Sequence, residues 1–342
     1  MAAAARELGW DDAWEAQWLA LARQGRPARV SRLDRGWSTL LVDVDAAPQR
    51  VRNIGADVAV GDWVVASADG ERVDAVLPRR SAFVRRASFE GARAEAHTLA
   101  ANVDVVLLLH ALGAPPKQRR IERELVLAFD SGARPAVVLT KLDLAADAAE
   151  VASAVARVEA VALGVPVHAV SCITGAGLDD LRSYWAGHRT VALLGASGVG
   201  KSTLANALVG REVQRVGEVR EIDRRGRHTT VAAELVALPD GGWLIDTPGL
   251  RAVSLWLSGE GIERAFADVF ELMDHCRFRD CKHEDEPGCA VRAAIADGTL
   301  DESRLASLKR LVAEEAALEE EQREHERAAD RRGVRKVRPN PS

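Results

Sequence analysis

The sequence predicts a multidomain α/β protein in which a small β-barrel precedes a helix-covered parallel sheet and a helical, metal-holding end. Short alternating runs broken by Gly, Pro and Asp fill residues 28–86, the texture of an antiparallel barrel. Strand–helix–strand alternation follows from about residue 101, as in a sheet covered by helices. Three cysteines and a histidine then crowd into residues 276–289.

The bulk properties exclude several classes. A length of 342 residues allows two or three cores. A hydrophobic content of 47% with 28% charged residues is that of an ordinary soluble globular protein. The formal net charge of −5 is too mild to imply nucleic acid by itself. No apolar run approaches the roughly 20 residues of a membrane span, so no membrane partner is expected. The first residues lack a secretory pattern. Clustered cysteines suit a metal better than a disulfide framework. A cytoplasmic monomer is expected.

In chain order, residues 1–27 form an N-terminal extension. Trp10, Trp14 and Trp18 recur at helical spacing within 6–24, an amphipathic helix that packs on a neighbouring domain. Residues 28–88 form the OB-fold-like barrel, with strands near 38–44, 50–54 and 62–68. Arg79, Arg80, Arg85 and Arg86 at its far end are either RNA contacts or a solvated face. Residues 89–255 form the α/β domain, with strands at 105–109, 136–139, 165–170, 190–194, 232–238 and 242–245. Its helices are expected at 121–129, 147–162 and 203–209. Residues 256–342 form a helical domain with a long charged helix near 301–332. A basic tail (Arg331, Arg332, Arg335, Lys336, Arg338) ends it, the last ten or so residues without fixed structure.

The chemistry starts at Gly195-Ala196-Ser197-Gly198-Val199-Gly200-Lys201-Ser202, between a strand and a helix that continues from Thr203. This is the G-x-x-x-x-G-K-[ST] phosphate loop in its required context. Its glycines let backbone N–H groups turn inward around a phosphate, and the helix N-terminus adds partial positive charge. Lys201 reaches the β and γ phosphates, and the Ser202 hydroxyl binds Mg²⁺. Downstream, Asp246-Thr-Pro-Gly249 places a carboxylate at a strand end to hold Mg²⁺ through water, and the Gly249 N–H at the γ-phosphate. Thr229 or Thr230, in the polar stretch between, completes the Mg²⁺ shell.

The base is read by Thr140-Lys141-Leu142-Asp143, which follows a strand. A carboxylate there accepts from both N1–H and the 2-amino group of guanine. Adenine offers neither donor, and each lost bond costs about 1–3 kcal/mol. The Lys141 stem can lie against the base. The small-residue loop opening at Ser171 and Cys172 can offer a backbone N–H to the guanine O6. Each motif is short, and both together favour guanine over adenine. Their order is unusual: the base loops precede the phosphate loop, which precedes Asp246. The same sheet requires a circularly permuted P-loop GTPase domain.

That order, with an N-terminal barrel and a C-terminal cysteine cluster, resembles the ribosome small subunit-dependent GTPase A family over about residues 28–300. The resemblance implies a fold of OB-fold-like barrel, permuted GTPase domain and α-helical zinc-binding domain. It implies GTP hydrolysis to GDP stimulated by the small ribosomal subunit, contact with its rRNA, and a late-stage assembly checkpoint. One departure is Thr140, where the family usually has an Asn that contacts the base and ties this loop to the phosphate loop.

Cys276-x4-Cys281-x-His283-x5-Cys289 offers three thiols and one imidazole, a closed set suited to one tetrahedral structural Zn²⁺. The alternative is three free cysteines beside a chance histidine. His275 also lies near, and the resemblance selects His283. Control of hydrolysis is the last expectation. Leu250 stands where many GTPases carry a water-orienting Gln, so slow turnover without a partner is expected. His228, beside Thr229 and Thr230, is the candidate catalytic group alongside Lys201; the resemblance implicates a histidine at this place, and an idle loop histidine is the alternative. Two other readings stay open: an RNA-binding module whose nucleotide site is only a switch, and a permuted GTPase with another partner.

Overall fold

The computed structural model describes residues 2–21, 25–34, 36–53, 57–85, 97–113, 117–212, 233–246 and 259–336. They fall in two compact units, one holding the described residues up to Arg85 and from 97 to 246, the other those from 259 onward.

The first unit opens with helices α1 (Ala2–Glu7) and α2 (Asp12–Leu21). The single helix expected over 6–24 is thus two, because Gly9 adopts φ +94°, a left-handed turn in which a Cβ would lie 2.9 Å from the His188 carbonyl oxygen. The turn buries Trp10, which meets Trp63 edge-to-face at 4.7 Å and stacks on Trp14 at 6.4 Å.

The barrel comprises β1 (Arg26–Asp34), β2 (Trp37–Leu41), β3 (Gln49–Arg52), β4 (Trp63–Ala66) and β5 (Val73–Val76). Their antiparallel order is β3-β2-β1-β4-β5. A parallel bridge between Arg52 and Arg72, with the Arg52 amide donating to Glu71 at 2.9 Å, closes β3 on the start of β5. That closure and order are those of an OB-fold. Inward residues Val30, Leu40, Val51 and Val64 are fully buried and fill it. A hairpin of β6 (Ala82–Arg85) and β7 (His97–Ala101) follows.

The α/β region contains β8 (Val105–Ala111), α3 (Gln118–Asp130), β9 (Arg134–Thr140), α4 (Ala148–Glu159), β10 (Val167–Ala169), β11 (Thr190–Gly195), α5 (Lys201–Val209), β12 (Glu234–Ala237) and β13 (Trp243–Asp246). Strands β10-β9-β8-β11-β13 are parallel in that spatial order, and β12 runs antiparallel at the end. The near-continuous Val/Leu runs of β8 and β11 are buried on both faces, as a helix-covered parallel sheet requires. Through one pair, Arg32 with Glu234, β12 continues into β1, so barrel and parallel strands share an eleven-stranded sheet among the described residues. Arg29 of β1 is the bolt between them: it is buried, donates to the Leu8 carbonyl, and reaches Thr190 Oγ1 at 2.5 Å. Burial lowers the Arg29 guanidinium to about 10, with Asp104 opposing the shift.

The second unit contains α6 (Gly259–Ala265), α7 (Ala267–Met273), α8 (Ala290–Ala296) and α9 (Glu302–Lys336). Buried Arg304 joins three of them, donating twice to Asp268 at 2.8 Å and once to the Ala265 carbonyl at 2.8 Å. Helix α9 runs on to Lys336, so residues 333–336, expected without fixed structure, are helical. Arg323 pairs with Glu319 at 3.0 Å and lies 3.7 Å from Glu320, contacts of the kind that carry a helix this polar.

Candidate active site and metal centre

Parallel register brings the described nucleotide motifs to one edge. Gly195 lies opposite Leu109, Thr140 opposite Ala111, and Ala169 opposite Leu139, so β8, β9, β10 and β11 all end on the same side. Asp246 ends β13 there too, since Ile245 pairs with Ala192. This carboxyl edge is where open α/β sheets bind ligands.

The phosphate loop leaves β11 at Gly195, which must be glycine: a Cβ there would sit 2.7 Å from the Leu109 carbonyl oxygen. Ala196 is half-buried, whereas Ser197 and Gly198 face solvent. Gly200 has φ +100° and caps α5, which begins at Lys201 and carries Ser202 and Thr203 in its first turn. The Lys201 ammonium folds over the loop, donating to the carbonyls of Gly195 at 2.9 Å and Ala196 at 2.5 Å. Ser202 and Asp246 both stand at the same edge of the sheet.

Thr140 performs part of the role expected of Asn. Its buried hydroxyl donates to the Val199 carbonyl at 2.5 Å, tying the base strand to the phosphate loop across 59 residues of sequence. Lys141 follows at φ +63°, a left-handed backbone costing a non-glycine residue about 1–2 kcal/mol. That kink starts the 3-10 turn Leu142–Leu144, on which Asp143 is exposed because it stands beyond the strand end. The Leu142 amide donates to the Val170 carbonyl at 3.0 Å. Ser171 Oγ donates to Asp143 Oδ1 at 2.5 Å and accepts from the amides of Ile173 and Thr174, each at 3.2 Å. The loops opening at Thr140 and Ser171 are thereby one assembly. Beside them, burial and then the Asp143 charge push the Cys172 thiol up. Sequence patterns carried no signal for the Ser171–Asp143 contact, because it joins loops 28 residues apart. His228, Thr229, Thr230, Gly249 and Leu250 lie outside the described residues.

The barrel arginines divide. Arg79 is an internal brace, donating to both carboxylate oxygens of Asp62 at 2.8 Å and to Asp57 at 3.1 Å. Arg80 clamps Asp11 and lies 4.0 Å over the Trp14 ring. These two are therefore structural, while the side chain of Arg85 and all of Arg86 lie outside the described residues. A different cationic feature faces outward: Arg50 and Arg52 flank the Trp37 ring at 4.8 and 5.3 Å.

In the second unit, Cys276, Cys281, His283 and Cys289 place one ligand atom each within 4.8 Å of one another. Tetrahedral Zn²⁺ with bonds of about 2.3 Å to sulfur and about 2.0 Å to nitrogen demands S···S edges near 3.8 Å and S···N edges near 3.5 Å. Three of the six edges are 3.9 Å (Cys276–Cys289), 3.6 Å (Cys276 Sγ to His283 Nδ1) and 3.5 Å (Cys289 Sγ to His283 Nδ1), and Cys281 lies within 4.8 Å of the other three ligand atoms. The donor set therefore fits zinc, with Nδ1 as the imidazole ligand. His283 attains this at φ +57°, and Cys289 doubles as N-cap of α8, its Sγ accepting from the Arg292 amide at 3.4 Å.

A profile of the RsgA GTPase family matches residues 76–256. The chain belongs to that family. It is 47% identical over 314 residues to the small ribosomal subunit biogenesis GTPase RsgA of Streptomyces coelicolor, covering 90% of this chain and 85% of that one. A Methanosarcina acetivorans relative of the same name is 38% identical over 317 residues, covering 90% and 84%. Among solved structures, YjeQ from Thermotoga maritima matches with a TM-score of 0.65 at 25% identity, covering 85% of this chain and 98% of that one. YloQ, described as a circularly permuted GTPase, matches in fold with a TM-score of 0.61 at 23% identity, covering 85% and 95%. As an RsgA GTPase the chain is a GTP-hydrolysing enzyme, and the permuted order of its nucleotide motifs is a property of the fold.

Proposed function

We propose that the small ribosomal subunit switches on GTP hydrolysis by this chain, which binds the immature subunit through its rRNA and leaves after turnover as a late assembly checkpoint. The observation that carries this is the 47% identity, over 90% of the chain, to a protein named for small-subunit biogenesis. The division of labour follows the expected boundaries. Residues 28–88 grip rRNA, 89–255 bind and hydrolyse GTP, 256–342 hold zinc and a second RNA contact, and 1–27 brace the barrel. The Arg50–Trp37–Arg52 patch on the barrel supports the first role, since aromatic and guanidinium surfaces stack on unpaired bases.

At the nucleotide edge, residues 195–203 cradle the phosphates and Lys201 moves from its loop carbonyls to the β and γ phosphates. Ser202, Asp246 and one of Thr229 and Thr230 hold Mg²⁺, which neutralises phosphate charge during hydrolysis. Asp143 reads guanine, with Thr140, Lys141, Leu142, Ser171 and Cys172 shaping its pocket. The Gly249 amide meets the γ-phosphate. With Leu250 unable to orient water, His228 does so once the subunit is bound. The chain works as a cytoplasmic monomer; among the described residues no helix is long and apolar enough to cross a membrane.

The test is GTP turnover with small subunits, large subunits or no ribosome, each at two salt concentrations. Small subunits alone should raise turnover at least about tenfold, and that rise should weaken steeply with salt as phosphate contacts are lost. Equal turnover in all three arms would leave a nucleotide-dependent RNA-binding module without a ribosomal trigger. Replacing His228 by Ala should cut the stimulated rate by about 10²–10⁴ while leaving GDP affinity unchanged.

A further inference from the structure

One polar side chain, His110, stands near the end of the otherwise apolar strand β8. Leu107 and Leu109 of that strand enter the core with Leu204 of α5. His110 alternates to the other face, where α3 packs, and is 3% exposed. There its Nε2 lies 3.0 Å from Oε2 of Glu124, a fully buried carboxylate. Neither atom has a partner outside the pair among the described residues. The other oxygen, Glu124 Oε1, accepts from Arg120 Nε at 3.0 Å, so the carboxylate is tethered on both sides.

Such a pair does little for stability. Desolvation of a buried carboxylate offsets much of its attraction to its partners, and apolar replacements of buried pairs are often neutral or stabilising. What a tied polar group supplies is a fixed position. The position matters here because the backbone of His110 meets the nucleotide loops. Its carbonyl oxygen lies 3.2 Å from Thr140 Oγ1, and that hydroxyl donates to the Val199 carbonyl of the phosphate loop at 2.5 Å. A Cβ on Gly200, the residue preceding Lys201, would lie 3.6 Å from the same Oγ1. Two carbonyls thus compete for one Thr140 proton. Where the His110 carbonyl stands decides how that proton divides between them.

We infer that His110, held by Glu124, is a positioning residue for the phosphate loop. It acts through Thr140, not by touching the nucleotide. The carboxylate on α3 keeps the end of β8 where the Thr140 hydroxyl stays on Val199, and Gly195–Ser202 is thereby shaped for phosphates. The inference rests on the phosphate-loop reading of residues 195–202 and is independent of the ribosomal one.

The test pairs GDP affinity, from titration with a fluorescent GDP analogue, with denaturant unfolding of the full-length chain. His110→Leu combined with Glu124→Leu replaces the pair by apolar groups. This variant should unfold at a denaturant concentration no lower than wild type, yet bind GDP about 3- to 10-fold more weakly. His110→Gln, whose amide can place an N–H where Nε2 was, should keep affinity within about twofold of wild type. Thr140→Val removes the hydroxyl through which the pair acts. Adding the double change in that background should therefore weaken binding by less than about twofold more. If the double variant does not fold, Glu124→Gln, which keeps the shape and deletes the charge, takes its place. It should bind about 2- to 5-fold more weakly alone and no more weakly than Thr140→Val when the two are combined. Lys201→Ala tests the loop itself. Wild-type GDP affinity there would overturn the phosphate-loop reading, and this inference with it. Lost affinity in Lys201→Ala, beside wild-type affinity in the pair variant or losses that multiply with Thr140→Val, would overturn the inference alone.

Discussion

Thr140 Oγ1 donates to the Val199 carbonyl at 2.5 Å, so the residue ending β9 holds the phosphate loop directly. The same hydroxyl lies 3.2 Å from the His110 carbonyl oxygen at the end of β8, the strand between β9 and β11. One side chain thus spans three strand ends. Where the resemblance leads to the expectation of Asn, the shorter Thr140 makes the inter-loop tie.

Replacing Thr140 by Val keeps the shape and deletes the donor. A neutral hydrogen bond contributes about 0.5–1.5 kcal/mol, so GDP affinity should fall roughly 2- to 10-fold. Thr140→Asn should retain the tie, add a contact to the base, and bind at least as tightly as wild type. Titration with a fluorescent GDP analogue measures both. Equal affinity of Thr140→Val and wild type would mean that the tie does not organise the loop.

Guanine selectivity should reside in Asp143 and its support by Ser171. Asp143→Asn exchanges an acceptor-only carboxylate for an amide and loses charge-assisted bonds of about 1.5–3 kcal/mol, a 10- to 100-fold loss of GTP affinity. The GTP-to-ATP preference should shrink by a similar factor. Ser171→Ala leaves the carboxylate but frees its orientation, since the hydroxyl is 2.5 Å from Asp143 Oδ1. Its loss should be smaller, about 3- to 10-fold. Unchanged selectivity in Asp143→Asn would remove this residue from base recognition.

The parallel sheet and its edge were legible because each strand is an unbroken apolar run and each motif sits where such a run stops. Gly195–Ser202 announces itself through spacing alone, and Cys276, Cys281, His283 and Cys289 through ligand chemistry. The barrel was legible as texture, but its closure through Arg52 and Arg72 was not, since a bridge between strand ends leaves no periodic trace. The arginine cluster misled. Arg79 and Arg80 look like a basic patch in sequence, yet their partners Asp62 and Asp11 come from distant turns and neutralise them. The outward-facing cationic group, Arg50 and Arg52 on Trp37, needs two paired strands to assemble. The break at Gly9 was missed because a three-tryptophan helical spacing outweighed one glycine.

The Asp11–Arg80 clamp predicts an acid-sensitive seat for the extension. The Arg80 hydrogen bond holds the Asp11 carboxyl below its ordinary 3.8, against a smaller opposing effect of burial. A depressed folded pKa means the unfolded carboxylate protonates first. The clamp's contribution is therefore full above 3.8 and disappears as pH falls through the lower folded value. The side chains are 37% and 50% exposed, so solvent screening keeps the contribution within about 0.2–1 kcal/mol. Asp11→Asn should be less stable than wild type by that amount at about pH 6, with the gap closing near pH 3. Denaturant unfolding followed by tryptophan fluorescence measures it. A gap that stays constant with pH would assign the effect to packing on Trp14.

Cys289 carries two roles that a single substitution can separate. It belongs to a donor set whose geometry fits zinc, and it is the N-cap of α8 through the Arg292 amide. Serine is a preferred N-cap but a poor zinc ligand at neutral pH, so Cys289→Ser keeps the cap and loses the metal. Structural zinc contributes roughly 10–16 kcal/mol in small peptides, far more than the roughly 1 kcal/mol of a cap. Zinc content should drop from one ion per chain to near none, and amide exchange should accelerate through α7 and α8. GDP affinity should change less than about threefold, because the phosphate loop belongs to the other compact unit. The same loss of protection should follow chelation of the wild-type protein. Retained exchange protection in metal-free Cys289→Ser would show that Arg304, Asp268 and the buried helix faces fold this unit without the ion.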